Sequence, residues 1–244
     1  MALELGPCQV KYGIAIRGTA WEALTVYGLG VSRVITNTTS LLAIVTTAGT
    51  SDASAPVLSG KVVGDTITDG TVTWTVVSTG LTDLGKTQGG VTLRISDESV
   101  DLKSDQYGTA AEDTIITGTT CEVEANFAEI SFDLISKVLH QSTFGVSGVL
   151  GENNVGTSLL ADDMELQLIK YVDGAPSAVL VDKMTLPLAS PIGKLELTYD
   201  SDNQRVLPTT FKCFPKSISA NWGVNTGATA KTVTYFFGDE TAVA

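Results

Sequence analysis

Cys121-Glu122-Val123-Glu124-Ala125-Asn126-Phe127 alternates apolar and polar side chains without a break. Successive side chains on a strand point to opposite faces. The run therefore describes a strand with a dry face (Cys121, Val123, Ala125, Phe127) and a wet one (Glu122, Glu124, Asn126). The same period of two recurs on either side. Val91, Leu93 and Ile95 alternate with Thr92, Arg94 and Ser96. Met164, Leu166 and Leu168 alternate with Glu165 and Gln167, and Leu195, Leu197 and Tyr199 with Glu196 and Thr198. Further strands are expected near 8–14, 177–188, 205–214 and 231–238. Thr and Val abound, and both suit a pleated surface better than a helix. The chain reads as mainly β.

One segment departs from this period. Between residues 129 and 140 the apolar positions Ile130, Leu134, Ile135 and Val138 follow helical spacing. Ser131 and Asp133 stand where they satisfy free N–H groups at a helix start, and Lys137 and His140 stand near its negative end. One α-helix flanking the β body is the expectation. A second departure is compositional. Residues 36–80 are rich in Thr, Ser, Gly and Ala, and their only charged groups are Asp52, Lys61, Asp65 and Asp69. Asp69-Gly70 is a turn signal placed before a strand on which Val72, Trp74 and Val76 share a face. This predicts a small β insert at 37–80 within a β domain formed by 1–36 and 81–244, with edges near 14 and 82 as the wider alternative.

Charge narrows the function classes. The 244 residues carry a formal net charge of −12, with 17% charged residues against a usual share of about 25%. Such a surface repels phosphate, which argues against clamping nucleic acid but not against a wall along which DNA slides. Nine carboxylates lie between Asp97 and Glu129 (Asp97, Glu98, Asp101, Asp105, Glu112, Asp113, Glu122, Glu124, Glu129), opposed only by Lys103. They interleave with Val100, Leu102, Ile115, Cys121, Val123 and Phe127, so the segment reads as folded strand rather than an acidic tail.

Catalytic patterns are missing from the sequence. His140 is the single histidine, at a helix end and without a nucleophile motif beside it. Cys8, Cys121 and Cys213 share no metal-ligand spacing and read as reduced, buried thiols. There is no phosphate loop and no dinucleotide fingerprint. Asp200-Ser201-Asp202-Asn203 lacks the Gly and the terminal Glu of a calcium loop and reads as a turn. The expectation is no enzyme, no metal and no cofactor. The longest aliphatic run, 41–45, falls far short of the roughly 20 residues that cross a bilayer. The first ten residues show no basic patch leading an apolar stretch, so neither a signal peptide nor a membrane anchor is expected.

Several runs together resemble the major tail (tail-tube) proteins of tailed bacteriophages. They are Leu5-Gly6-Pro7-Cys8-Gln9-Val10, then Leu84-Gly85-Lys86-Thr87-Gln88-Gly89-Gly90-Val91-Thr92-Leu93, and most strongly Val100-Asp101-Leu102-Lys103-Ser104-Asp105-Gln106-Tyr107-Gly108. Ile115-Ile116-Thr117-Gly118, the acidic strand to Phe127-Ala128-Glu129 and the helix follow in the family's order. The later strands match only as generic β. The resemblance implies a β-sandwich or half-barrel with one flanking helix. It also implies hexameric rings stacked into a tube, whose lumen passes DNA without binding it. The loop Asp105, Gln106, Tyr107 and Gly108 would reach a neighbouring subunit, and Glu112, Asp113, Glu122 and Glu124 are candidate lumen acids. Partners would be other copies of the chain, with a tail sheath or other tail proteins. The location would be the virion tail, after assembly in the host cytoplasm.

Within the insert, Ser51–Pro56 and Asp69-Gly70-Thr71-Val72-Thr73-Trp74 resemble a short carbohydrate-binding-like module of phage tail and fibre proteins. That implies either a core role or a glycan contact for Trp74. Two other readings follow: a decoration, fibre or adhesion module that binds glycans through the insert, and the tube of a genome-free contractile injection device.

Overall fold

A computed structural model describes residues 2–4, 7–16, 18–37, 39–103, 111, 113–138, 164–192, 206–218 and 231–237. The chain is mainly β, in several antiparallel sheets. It divides into two compact units, one formed by Tyr12–Thr82 and the other by Met1–Lys11 with Asp83–Ala244. The insert thus begins well before residue 37. Ser32–Thr36, assigned from sequence to the surrounding domain, pairs along its whole length with Ser40–Thr47. Composition changes near 36, but strand pairing sets the boundary.

The chain enters through β1 (Ala2–Glu4) and β2 (Cys8–Gly13). The insert follows with β3 (Val26–Tyr27), β4 (Ser32–Thr36), β5 (Ser40–Thr47), β6 (Gly49–Thr50), β7 (Thr66–Asp69) and β8 (Val72–Ser78). Its main sheet has the order β4-β5-β8-β7, and β3 pairs with β6. Along β8 the face expected to be dry is buried throughout: Val72, Trp74 and Val76 are at most 1% exposed and pack with Tyr27, Ile35, Leu41, Ala43, Val45, Leu58 and Ile67. The Asp69-Gly70 turn closes the β7–β8 hairpin through the facing pair Asp69 and Val72. Gly70 has a φ of 62°, and a Cβ there would lie 2.4 Å from the Thr50 carbonyl oxygen, so only glycine fits.

The chain returns through β9 (Thr82–Asp83). Next come β10 (Thr87–Leu102), β11 (Asp113–Phe127) and α1 (Phe132–Val138). The remaining strands are β12 (Glu165–Val172), β13 (Ala175–Pro176), β14 (Lys183–Leu186), β15 (Ala189–Ile192), β16 (Leu207–Cys213), β17 (Lys216–Ile218), β18 (Lys231–Val233) and β19 (Phe236–Phe237). One sheet of this unit has the order β1-β10-β11-β16-β15, and another has β19-β14-β12-β2-β9 with β13 beside β12. β17 pairs with β18.

The expected dry face of β11 is buried at Cys121, Val123, Ala125 and Phe127, opposite Val91 and Leu93 of β10 and Phe211 and Leu207 of β16. Pro191 lies in β15, an edge strand of its sheet, where its missing N–H costs no ladder bond. The helix begins at Phe132, inside the sequence stripe. Ser131 accepts the Leu134 N–H on its hydroxyl and the Ile135 N–H on its carbonyl, and Leu134 and Val138 are buried. His140 lies outside the described residues.

Two expectations change. β12 has no wet face: Glu165 and Gln167 are buried alongside Leu166 and Leu168. The Gln167 amide donates to Glu165 Oε1 at 2.6 Å, so this bond stands in for water at that one oxygen. Of the strand expected over 177–188 only β14 forms: 177–179 is not strand, and Leu180–Asp182 is a single 3-10 turn. The strand expected at 195–199 and the turn at 200–203 lie outside the described residues.

Candidate functional site

β10 and β11 are far longer than the alternating runs that announce them, with 16 and 15 residues. They pair with each other from Thr87 and Phe127 out to Leu102 and Asp113. Their neighbours stop early. β1 reaches Arg94 of β10, and β16 reaches Cys121 of β11. Beyond those points, among the described residues, 95–102 and 113–120 form a ribbon of two strands only. A register shift between Glu98 and Ser99 interrupts it, a local irregularity that increases twist.

The ribbon is exposed on both faces. Val100 (53% exposed) faces Ile115 (48%) across it, next to Leu102 (45%) and Ile116 (64%). The carboxylates Asp97, Glu98, Asp101 and Asp113 lie among these apolar groups and are exposed. Threonines tie the two strands together: the Thr119 hydroxyl donates to Asp97 Oδ1 at 2.8 Å, and the Thr114 hydroxyl to Asp101 Oδ1 at 2.9 Å. The Thr117 and Thr120 hydroxyls donate to the carbonyls of Glu98 and Ser96. These bonds fix the direction of the carboxylates without neutralising them.

The structure separates the acids that the sequence grouped. Asp113 lies in the ribbon. Glu122 and Glu124 lie at its root, on the face opposite buried Cys121, Val123 and Ala125. There Glu122 stands between Arg94 and Lys212 on the neighbouring strands, and Arg94 Nη1 lies 3.0 Å from Glu124 Oε1. Both partners of that pair are well exposed, so it adds little stability, but it cancels charge locally. Arg94 and Lys212 sit outside the acidic stretch in sequence, and only the register of three strands brings them in. Glu112 and the loop Asp105, Gln106, Tyr107 and Gly108 lie outside the described residues.

Trp74 is not a surface contact. It is 0% exposed, packs edge to face on Tyr27 with ring centroids 4.9 Å apart, and donates its indole N–H to Asp69 Oδ2 at 3.1 Å. Trp21 donates to the same oxygen at 2.7 Å, and the Asp52 N–H donates to Asp69 Oδ1 at 2.9 Å. A buried carboxylate thus gathers three donors, which compensates its removal from water. Nothing in the sequence signalled this role for Asp69, because the same residue also opens the Asp-Gly turn.

A cleft of about 160 Å³ in the larger unit is lined by Cys8, Leu168, Lys170, Val181, Asp182, Met184 and Phe237. Ligand pockets usually span about 300–1,000 Å³. Burial pushes the Cys8 thiol up to about 12, so it stays protonated near neutral pH and is a poor nucleophile. Among the described residues no group of three potential metal ligands comes together, and no helix is long and apolar enough to cross a membrane. Among the described residues, the outer part of the ribbon has no third strand paired to it. Scanned against protein-family models, the chain matches none, and no curated protein matches it.

Proposed function

We propose that the chain is a structural subunit of a phage tail tube, which assembles with copies of itself into stacked rings around a channel for DNA. The observation that carries this reading is the ribbon of β10 and β11. A two-stranded ribbon is at best marginally stable in water, and this one exposes Val100, Leu102, Ile115 and Ile116 on it. Among the described residues no strand pairs with its outer edges, and open edges invite another strand or surface. A symmetric ring supplies identical neighbours and closes such edges in every subunit at once. In this reading the tube-type sandwich or half-barrel is completed by association. Asp105–Gly108, which joins the two strands along the chain, is carried to the neighbouring subunit.

The acids fit the same reading. Ribbon carboxylates held by threonine hydroxyls present fixed negative charge, and like charge keeps passing DNA from adhering. In the tube, Glu112 and Asp113 line the passage, and Glu122 and Glu124 add less net negative charge because Arg94 and Lys212 stand beside them. Sheath or other tail proteins would meet the outer wall, and the virion tail would be the site of action. With Trp74 buried, glycan contact through that residue has no support. The test is negative-stain imaging of the purified protein beside the double variant Val100→Lys, Ile115→Lys. Rings or tubes from the parent and none from the variant support the reading. Rings from both would detach assembly from the ribbon.

A further inference from the structure

Cys121 and Cys213 are directly facing partners on the antiparallel pair β11 and β16, and both thiols are buried, at 1% and 5% exposure. Facing residues of such a pair have Cα atoms about 4.5 or 5.5 Å apart. That lies inside the roughly 4.4–6.8 Å window that a disulfide spans. The two side chains also face the same dry side, each buried against the other's strand. Cys8 lies on another sheet, on β2.

We propose that Cys121 and Cys213 form an intramolecular disulfide when the folded protein meets a peroxide, and that this bond clamps the root of the β10–β11 ribbon to β16. Cys121 is the last β11 residue with a partner on β16, so the bond would sit where the ribbon leaves the body of its sheet. The chemistry balances. The Cys121 sulfur, as thiolate, attacks one peroxide oxygen; the O–O bond breaks, and the departing hydroxide takes a proton to become water. The resulting sulfenic acid is attacked by the Cys213 sulfur, an S–S bond forms, and the hydroxyl leaves as a second water with the Cys213 proton. Two thiols are oxidised and one peroxide is reduced.

The pairing supplies the resolving step. Each thiol perturbs the other: Cys213 holds the Cys121 thiol below its ordinary range, and Cys121 together with burial holds Cys213 above it. Whichever sulfur is oxidised first, its resolving partner lies directly opposite. Burial alone raises Cys8, with no second thiol opposite. The proposal is independent of the tube reading, since it concerns one chain.

The experiment treats the folded full chain with hydrogen peroxide, then maps peptides without reduction and titrates thiols under denaturing conditions. A parallel sample is refolded in a glutathione redox buffer, where burial is no barrier. The expected result in both is a peptide linked through Cys121 and Cys213, with titratable thiols falling from three per chain to one. The variant Cys213→Ser should lose the linked peptide and trap a sulfenic acid at Cys121 that reacts with dimedone. Three free thiols in either sample, a linkage through Cys8, or disulfide-linked dimers would overturn the proposal.

Discussion

Asp69 shows how much one residue can organise in a small β unit. Its two oxygens receive the indole N–H groups of Trp21 and Trp74 and the backbone N–H of Asp52, while its backbone closes the turn to Val72. Asp69→Ala would leave three inward-facing donors unanswered, each costing about 1–3 kcal/mol when buried. Trp74→Ala should cost about 3–5 kcal/mol through the cavity it opens. A denaturant melt followed by tryptophan fluorescence checks both, and an unchanged midpoint for Asp69→Ala would remove it from the core network. The sequence signalled the turn through Asp-Gly and the buried face through Val72, Trp74 and Val76. It could not show that a carboxylate turns inward, because that depends on Trp21 arriving from 48 residues upstream.

Cys8 carries a prediction of its own. Its thiol is raised from an ordinary 9.0 to about 12 by burial. The folded state keeps this proton over a range in which the unfolded chain loses it, so stability falls as pH rises. Its contribution is full below pH 9 and is lost between about 9 and 12. Chemical denaturation across that window should give a shallower decline for Cys8→Ser than for the parent. Equal slopes would show that the thiol is not shielded.

Among the elements, the β10–β11 hairpin separates what the sequence reveals from what it hides. The root was legible because alternation there is clean: Val91, Leu93, Cys121 and Val123 all turn inward. The outer half was not. Val100, Leu102, Ile115 and Ile116 look like core residues in a list, yet they stand exposed on a ribbon that, among the described residues, has no third strand. Sequence periodicity reports that a face is apolar, not whether its own chain covers it. β12 gives the converse case, since Glu165 and Gln167 look wet and are buried against each other. At this scale the expected outcome concerns association. Val100→Lys with Ile115→Lys should abolish self-assembly by sedimentation while shifting stability by only about 0.5 kcal/mol, as surface changes do. A large loss of stability would mean that the ribbon packs on its own chain.

The whole molecule is a β unit interrupted by another β unit. The interruption was visible as a change in composition, but the sequence did not decide between tight edges and edges near 14 and 82, because Val26–Tyr27 and Ser32–Thr36 share the vocabulary of the outer strands. The chain leaves along β2 and returns along β9, which are neighbours in one sheet. Replacing residues 12–82 by a short Gly/Ser link should therefore preserve ring formation, seen by negative stain. Loss of both folding and rings would make the insert integral to the outer unit.

The central claim is that this chain completes its exposed ribbon with copies of itself around a channel. Electron microscopy of the purified full-length protein at high concentration, with sedimentation velocity on the same sample, tests it most directly. The account predicts annular particles or hollow tubes and a fast-sedimenting species. A monodisperse monomer at every concentration and salt, with no annular particle in any field, would contradict it.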